Sequence, residues 1–152
     1  MQALRHFLLA VQFLTRIPVT GRLADWVGFS PALLRASAVH FPGVGWLVGA
    51  WVAGVLALLL ALLPPTDAAR WVAALFATAA GVWLTGAFHE DGLADTADAL
   101  GGAVGRDRAL EIMKDSRIGS YGAMALVLVV LLKCALLALL AARGTALVVA
   151  AV

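Results

Sequence analysis

Charged side chains are scarce in this chain. Asp, Glu, Lys and Arg make up 13% of its 152 residues, whereas hydrophobic residues make up 63%. Ordinary globular proteins carry about 25% charged and about 45–50% apolar residues. The deficit of charge argues against an ordinary soluble domain, since the apolar surplus is more than one core of this size needs. It predicts a membrane protein.

Cysteine is also scarce, and runs of basic residues are missing. The one cysteine, Cys134, lies inside an apolar run, so an intrachain disulfide is excluded and buried packing is expected. The net charge is only +2, and no cluster of Lys and Arg is typical of nucleic-acid binding, so nucleic acid is not an expected partner. No Gly-Lys-Ser/Thr follows the glycines at 101–105, which excludes a P-loop.

Long apolar runs are what the chain has in abundance. Three of them are long enough to form transmembrane helices. They comprise approximately residues 44–63, 69–88 and 121–142, and a partial fourth span begins at residue 145. Pro64 and Pro65 end the first span, and Trp71 and Trp83 near the ends of the second fit anchoring at the interface. The predicted fold is all-α, a polytopic transmembrane helix bundle forming a single integral membrane domain in contact with the lipid bilayer.

The N-terminal region lacks a run long enough to span the membrane. Phe7 to Val11 is apolar and is flanked by Arg5 and Arg16, which predicts an amphipathic helix lying in the interface and ending near Pro18. A signal peptide is the rival interpretation, but no clean small-residue cleavage site follows. Residues 21–41 are predicted to be a polar connection at the membrane surface.

Basic residues favour one side of the predicted spans. They precede the first span and lie between the second and third, whereas only Arg70 and Arg143 mark the opposite turns. By the positive-inside rule, the N-terminus and the segment 89–120 are both expected to be cytoplasmic.

The few acidic residues are concentrated in one segment. Seven of the nine carboxylates lie between residues 90 and 115. On a helix, Asp91, Asp95 and Asp98 share one face, where their charges repel. A divalent cation would offset that repulsion, and Mg²⁺ is typically held by one or two carboxylates together with substrate phosphates. The alternative is a solvated acidic turn at a helix start, with Asp91 or Asp95 as the N-cap.

Cationic side chains accompany these acids. Lys114 and Arg117 suit a phosphate anion, since arginine binds phosphate oxygens bidentately and lysine supplies a point charge. Backbone N–H groups of Gly119–Gly122 at the start of the third span could form a further anion site. Ordinary salt bridges on an interfacial helix are the alternative interpretation.

Two other ionisable residues stand at the spans. His89 follows the second span and is a candidate general base, or it caps that span at the interface. Lys133 lies in the middle of the third span, where ionisable groups are expensive, so it is expected to face the bundle interior.

Four blocks of the sequence, taken together and in this order, resemble the cobalamin synthase family. They are Phe13–Val19, Phe41–Gly45, Phe88–Gly102 and Ile112–Gly122. The resemblance implies a Mg²⁺-dependent adenosylcobinamide-GDP ribazoletransferase of a bacterial cytoplasmic membrane. Such an enzyme joins α-ribazole, or its 5′-phosphate, to adenosylcobinamide-GDP and releases GMP, forming adenosylcobalamin or its 5′-phosphate in the last steps of vitamin B12 synthesis. Ala99 stands where glycine is more usual. Members of the family continue for several further spans, so this chain is expected to match the N-terminal part of the family fold.

Roles follow for individual residues under that hypothesis. The expected metal ligands are Asp91, Asp95 and Asp98, with Glu90 and Asp115 as further ligands. The expected catalytic residues are His89, Asp91, Asp95, Lys114 and Arg117. His89 or a metal-bound carboxylate would accept the proton of the attacking hydroxyl. The sequence leaves the oligomeric state open, and a homo-oligomer is one state that it allows.

Two other functions are alternatives for a sequence of this kind. A CDP-alcohol phosphotransferase-like lipid enzyme also uses aspartates beside a span, but no Ala-Arg follows Asp91-Gly92 as its longer motif requires. A membrane carrier of cations or solutes usually places its ionisable residues within the spans. Here the acids lie mostly between them.

Overall fold

The computed structural model describes residues 1–102, 104–144 and 152, and in these the chain is helical and contains no strand. The helices are α1 (Gln2–Leu14), α2 (Gly21–Val27), α3 (Pro31–Ser37), α4 (Phe41–Leu62), α5 (Asp67–Thr85), α6 (Phe88–Gly101), α7 (Arg106–Ile112) and α8 (Ser120–Arg143). A 3₁₀ turn, Ala38–His40, joins α3 to α4. The predicted all-α class is therefore confirmed.

Three helices are long and apolar enough to cross a membrane, namely α4 together with the segment leading into it, α5 and α8. They lie over the three predicted spans. The second prediction extended too far, because α5 ends at Thr85 rather than at residue 88. Gly86 adopts a left-handed φ of +67° and Ala87 donates its N–H to the Val82 carbonyl (2.9 Å), the hydrogen-bond pattern of a Schellman motif. The predicted partial span from residue 145 begins outside the described residues.

The predicted N-terminal helix is present as α1, and it ends at Leu14 rather than near Pro18. Thr15 ends it, since its hydroxyl donates to the Val11 carbonyl (2.7 Å) and accepts from the Ile17 N–H (3.2 Å). The buried face of α1 packs against Val44 of α4. α1 thereby forms part of the bundle wall around the first turns of α4.

The connection over residues 21–41, for which only a polar segment at the membrane surface was predicted, is largely helical. Ser30 is the N-cap of α3 and its hydroxyl accepts from the Leu33 N–H (3.1 Å), with Pro31 in the first turn. A serine N-cap followed by proline is a strong local start signal. The polar composition of this region concealed two short helices that pack on α1.

Small residues bring α4, α5 and α8 together. Gly81 of α5 lies so close to α4 that a Cβ there would stand 2.9 Å from Cγ2 of Val52, and small residues permit this approach in membrane bundles. The Trp51 indole donates to the Ala80 carbonyl (3.2 Å). On the other side of α5, Cys134 of α8 is fully buried beside Thr78, with Sγ and Oγ1 3.6 Å apart. The expected buried packing of the cysteine is confirmed.

One carboxylate joins α6 to α8. Gly119 is the N-cap of α8 and has no side chain with which to satisfy the first N–H groups of the helix. Asp98 of α6 supplies the missing acceptors: Oδ2 accepts from the Gly119 N–H (2.7 Å) and Oδ1 from the Gly122 N–H (2.8 Å). The acidic helix is therefore held along the first turns of a transmembrane helix.

Removal of this carboxylate should destabilise the bundle. Asp98→Ala would leave two N–H groups of α8 without acceptors, and we expect a loss of about 1–3 kcal/mol in unfolding free energy. Asp25→Ala is the matched control, because Asp25 is an exposed aspartate on α2 with no hydrogen bond or ion pair among the described residues. Thermal unfolding in detergent micelles measures both variants, and equal midpoints would contradict the capping role.

Gly122 should be equally sensitive for a steric reason. A Cβ at Gly122 would lie 2.9 Å from the Ala94 carbonyl oxygen and closer still to the Asp98 carboxylate, so Gly122→Ala should cost about 1–3 kcal/mol. A Cβ at Gly54 meets nothing within 4 Å, and Gly54→Ala should leave stability unchanged or raise it by up to about 1 kcal/mol. A Gly122→Ala protein as stable as Gly54→Ala would show that α6 and α8 are not in close contact.

Candidate active site

The candidate site begins where α5 ends. Gly86 and Ala87 both have positive φ, and α6 starts immediately afterwards at Phe88. Glu90 and Asp91 therefore lie in the first turn of α6, where the helix dipole favours negative charge. The alternative in which Asp91 or Asp95 is an N-cap is wrong, because the N-cap is Ala87 and both aspartates lie inside the helix.

Asp91 and Asp95 are one helical turn apart on α6. Asp91 is exposed and Asp95 is half-buried. Across residues 1–102 and 104–144, neither carboxylate takes part in a salt bridge or a side-chain hydrogen bond. Their mutual repulsion is therefore not offset by cations of the described chain.

The other predicted metal ligands have partners or lie apart. Asp98 uses both oxygens on the N-terminus of α8, and Asp115 follows α7 and is bound by Arg117. In the part of the chain that the structure describes, no three His, Cys, Asp or Glu side chains form a ready metal site. The set of five metal ligands stays a prediction. Of these five residues, Asp91 and Asp95 share one face of α6.

The Asp115–Arg117 pair lies in the loop before α8. Arg117 donates from Nε to Asp115 Oδ1 (3.0 Å) and from a terminal guanidinium nitrogen to Oδ2 (2.6 Å), and its backbone N–H also donates to Oδ1 (3.1 Å). These side-chain and then backbone hydrogen bonds lower the pKa of Asp115 from 3.8 to about 2. The alternative interpretation of this block, ordinary local ion pairs, fits Arg117, and Arg108 pairs likewise with Glu111 (2.8 Å).

The predicted anion site at Gly119–Gly122 exists but holds a protein carboxylate. Asp98 occupies its N–H groups, so an external phosphate has no free donor at Gly119 or Gly122. Lys114 is exposed, and no acidic side chain lies within 4 Å of its ammonium among the described residues. It remains available to an incoming anion.

A cavity of about 480 Å³ opens beside the first turn of α6. Apolar side chains of α1, α4 and α5 form most of its wall, and His89, Glu90 and Lys133 contribute the charged and titratable groups. The Glu90 Oε2 atom is buried and has no hydrogen-bond partner among the described residues. Lys133 also lines this cavity, but it is exposed in the described structure, so the expectation that it faces the bundle interior stays a prediction.

Arg16 is a neighbour of the site that sequence reasoning missed. Its backbone N–H donates to the Leu84 carbonyl (2.7 Å) at the end of α5. Its side chain lies across Gly86, where a Cβ would stand 3.0 Å from the Arg16 Nε. No carboxylate lies within 4 Å of its guanidinium among the described residues. The available sequence signal was that Arg16 belongs to Phe13–Val19, the first of the four blocks that resemble the cobalamin synthase family. No role was assigned to Arg16 on that basis.

Comparison with known proteins places these features in a family. A family model described as cobalamin-5-phosphate synthase matches residues 6–152. A curated protein of Polaromonas naphthalenivorans is 69% identical over 140 residues, which are 92% of this chain and 50% of that protein. A protein of Albidiferax ferrireducens is 66% identical over 150 residues, 99% of this chain and 54% of that protein. A protein of Ralstonia pickettii is 47% identical over 143 residues, 94% of this chain and 53% of that protein.

All three relatives are named adenosylcobinamide-GDP ribazoletransferase. The chain spans about half the length of the curated relatives it matches. No solved structure matches it. The family model covers the chain from α1 onwards, including the acidic helix α6 and the loop that Asp98 binds. This chain belongs to the cobalamin-5-phosphate synthase family.

Proposed function

We propose that this chain carries the metal and diphosphate site of an adenosylcobinamide-GDP ribazoletransferase. In the proposed reaction a hydroxyl of α-ribazole, or of its 5′-phosphate, attacks the corrinoid-side phosphorus of adenosylcobinamide-GDP. The bond between the two phosphates breaks, GMP leaves, and the hydroxyl proton passes to a base. The observation that carries the proposal is that Asp91 and Asp95, one turn apart on α6, have no cationic partner among the described residues, in a part of the chain that the family model matches.

Asp91 and Asp95 fit a Mg²⁺ ion. Both offer carboxylate oxygens without a competing cation in the described chain, and Mg²⁺ takes one or two carboxylates and completes its shell with water and substrate phosphates. A bound Mg²⁺ would neutralise the diphosphate and the departing phosphate. Asp98 and Asp115 already have hydrogen-bond donors, which favours Asp91 and Asp95 as the principal ligands. Glu90, with one unpartnered oxygen, is the next candidate.

Three cations are candidates for orienting the phosphates: Arg16, which lies against Gly86 just before α6, and Lys114 and Arg117, which lie between α7 and α8. Lys114 and Arg16 have no acidic partner within 4 Å in the part of the chain that is described. Arg117 is already paired with Asp115, so a phosphate would share that guanidinium or compete for it. We therefore assign Lys114 and Arg16 the first contacts with phosphate oxygens.

His89 is the proposed proton acceptor. It immediately precedes Glu90 on α6 and lines the cavity beside the carboxylates, with its ring 5.7 Å from that of Phe88. An imidazole at the border between an apolar cavity and an acidic helix is placed to accept the proton of an attacking hydroxyl.

The proposed location is the bacterial cytoplasmic membrane. The excess of Lys and Arg before α4 and between α5 and α8 supports a cytoplasmic location for the N-terminus and the segment 89–120. The soluble nucleotide substrate and GMP would meet the enzyme there, and lipid would surround the spans. Membership of this family disfavours both the lipid phosphotransferase and the carrier.

Loss of either principal carboxylate should abolish metal-dependent turnover. We expect Asp91→Asn and Asp95→Asn each to lower kcat about 100-fold or more, the size of effect seen when one group that stabilises developing charge is lost. Membrane vesicles carrying the natural protein, assayed for GMP release across a Mg²⁺ titration, provide the measurement. The matched control is Asp107→Asn, an exposed acid of α7 with no assigned role. Full turnover without a divalent metal would overturn the mechanism.

The Asp115–Arg117 pair should show itself in a titration. Because the pKa of Asp115 is lowered to about 2, the pair stabilises the loop fully above pH 3.8, and the stabilisation is lost as the pH falls through about 2. Carboxyl ¹³C shifts of labelled protein should give this low value, and Arg117→Gln should return it to near 3.8. Arg106→Gln, a basic residue that does not influence Asp115, is the control. An unshifted Asp115 in the natural protein would show that the pair does not form.

A further inference from the structure

The cavity beside α6 is a slot that runs along α4. Its wall on α4 extends from Phe41 to Val52, a length of about 16 Å at 1.5 Å per residue. Gly45 and Gly49 lie on this wall, and Gly81 faces it from α5. The Val152 backbone also lines the cavity and lies against Gly49, where an added Cβ would stand 3.6 Å from its carbonyl oxygen. At Gly45 the helix backbone is open, and a flat group can pack closely against it.

The two ends of the slot differ in chemistry. Gly81 lies against Val52, and Lys133 adjoins Cys134, which contacts Thr78 one turn before Gly81. Lys133 therefore marks the inner end. His89 and Glu90 follow the C-terminus of α5 and mark the outer end, together with Phe41 and Phe88. Phe13 contacts both of these aromatic rings, with centroids 6.0 Å from Phe41 and 5.4 Å from Phe88.

We propose that this slot binds the nucleoside acceptor, with its flat, largely apolar aromatic base inside and its ribose at the outer end. The assignment rests on the proposed function, because it takes the acceptor to be a ribazole. Lys133 then donates to a ring nitrogen of the base, and the unpartnered Glu90 Oε2 accepts from a ribose hydroxyl. The ribose then lies beside Glu90, the residue before Asp91, and so close to the carboxylates that are proposed to hold the metal.

The volume and polarity favour a nucleoside over a lipid chain. About 480 Å³ lies within the range of about 300–1,000 Å³ found for small-molecule sites. A lipid acyl chain would satisfy the apolar wall but would leave the buried Glu90 oxygen without a donor. A heteroaromatic nucleoside supplies a hydroxyl donor to Glu90, and its ring nitrogen is an acceptor for Lys133.

Filling the slot provides the test. Gly45 lines the slot, and a Cβ added there meets nothing within 4 Å, so Gly45→Leu should occupy the space without displacing the protein. We expect the Kd for α-ribazole, measured by equilibrium dialysis on vesicles carrying the natural protein, to rise about tenfold or more. The KM for adenosylcobinamide-GDP should be unchanged. Gly54→Leu is the matched control, because Gly54 is on the same helix, is equally open, and lies outside the slot.

The Lys133→Met variant tests the proposed contact at the inner end of the slot independently. It should weaken α-ribazole binding, and it should not weaken binding of an analogue whose free ring nitrogen is replaced by C–H. Both slot variants should unfold at the temperature of the natural protein, which separates lost binding from lost folding.

The possible outcomes separate a failure of the slot assignment from a failure of the proposed transferase function. Natural protein that binds and transfers α-ribazole, with Gly45→Leu equally competent, would overturn the slot and leave the transferase proposal standing. Natural protein that neither binds nor transfers α-ribazole would overturn both. A Gly45→Leu effect on bound phospholipid alone, with nucleoside affinity unchanged, would assign the slot to lipid and overturn the proposal.

Discussion

The arrangement of the site depends on one carboxylate that satisfies the start of a membrane helix. α8 begins at a glycine without a capping side chain, and Asp98 accepts from two of its first N–H groups. A helix start at the edge of hydrocarbon needs such acceptors, because unsatisfied N–H groups become more costly as water is excluded. The same contact holds α6 against α8 through Gly122, where Ala94 also approaches closely. An otherwise solvated acidic helix thereby gains a fixed position beside the spans.

This use of Asp98 divides the acidic segment into two groups. Asp98, Glu111 and Asp115 have donors or cations as partners within the chain, whereas Asp91, Asp95 and the exposed Asp107 of α7 have none among the described residues. Asp91 and Asp95 lie on the first two turns of α6, the helix whose Glu90 lines the cavity. Two neighbouring carboxylates without a cation of the described chain are the feature on which the proposed metal site rests. The supporting acids and the proposed ligands thus differ in environment rather than in residue type.

The sequence predicted the spans well, because an apolar run of sufficient length forms a helix in a membrane whatever its neighbours do. The sequence predicted helix ends less well, because single capping residues determine them. The Gly86–Ala87 end of α5 and the Ser30 cap of α3 both lie in regions whose structure was predicted from composition alone. It could not predict the partners of Asp98 or Arg16. The donors to Asp98 lie 21 and 24 residues away, and Arg16 meets Leu84 through backbone atoms. Helical spacing carries no information about contacts of that kind.

The depth of the cavity explains how a membrane protein of this kind can bring unlike groups together. Lys133 lies mid-span, where a lipid-facing ammonium would be expensive, yet it lines a cavity that also contains Glu90. The outer end of that cavity meets α6 at the residue before Asp91. One turn of helix therefore separates a largely apolar cavity from the exposed Asp91 carboxylate. The proposed transfer, in which a hydroxyl of a nucleoside with an apolar base attacks a diphosphate, would use both environments, and the end of a transmembrane helix is where they lie closest together.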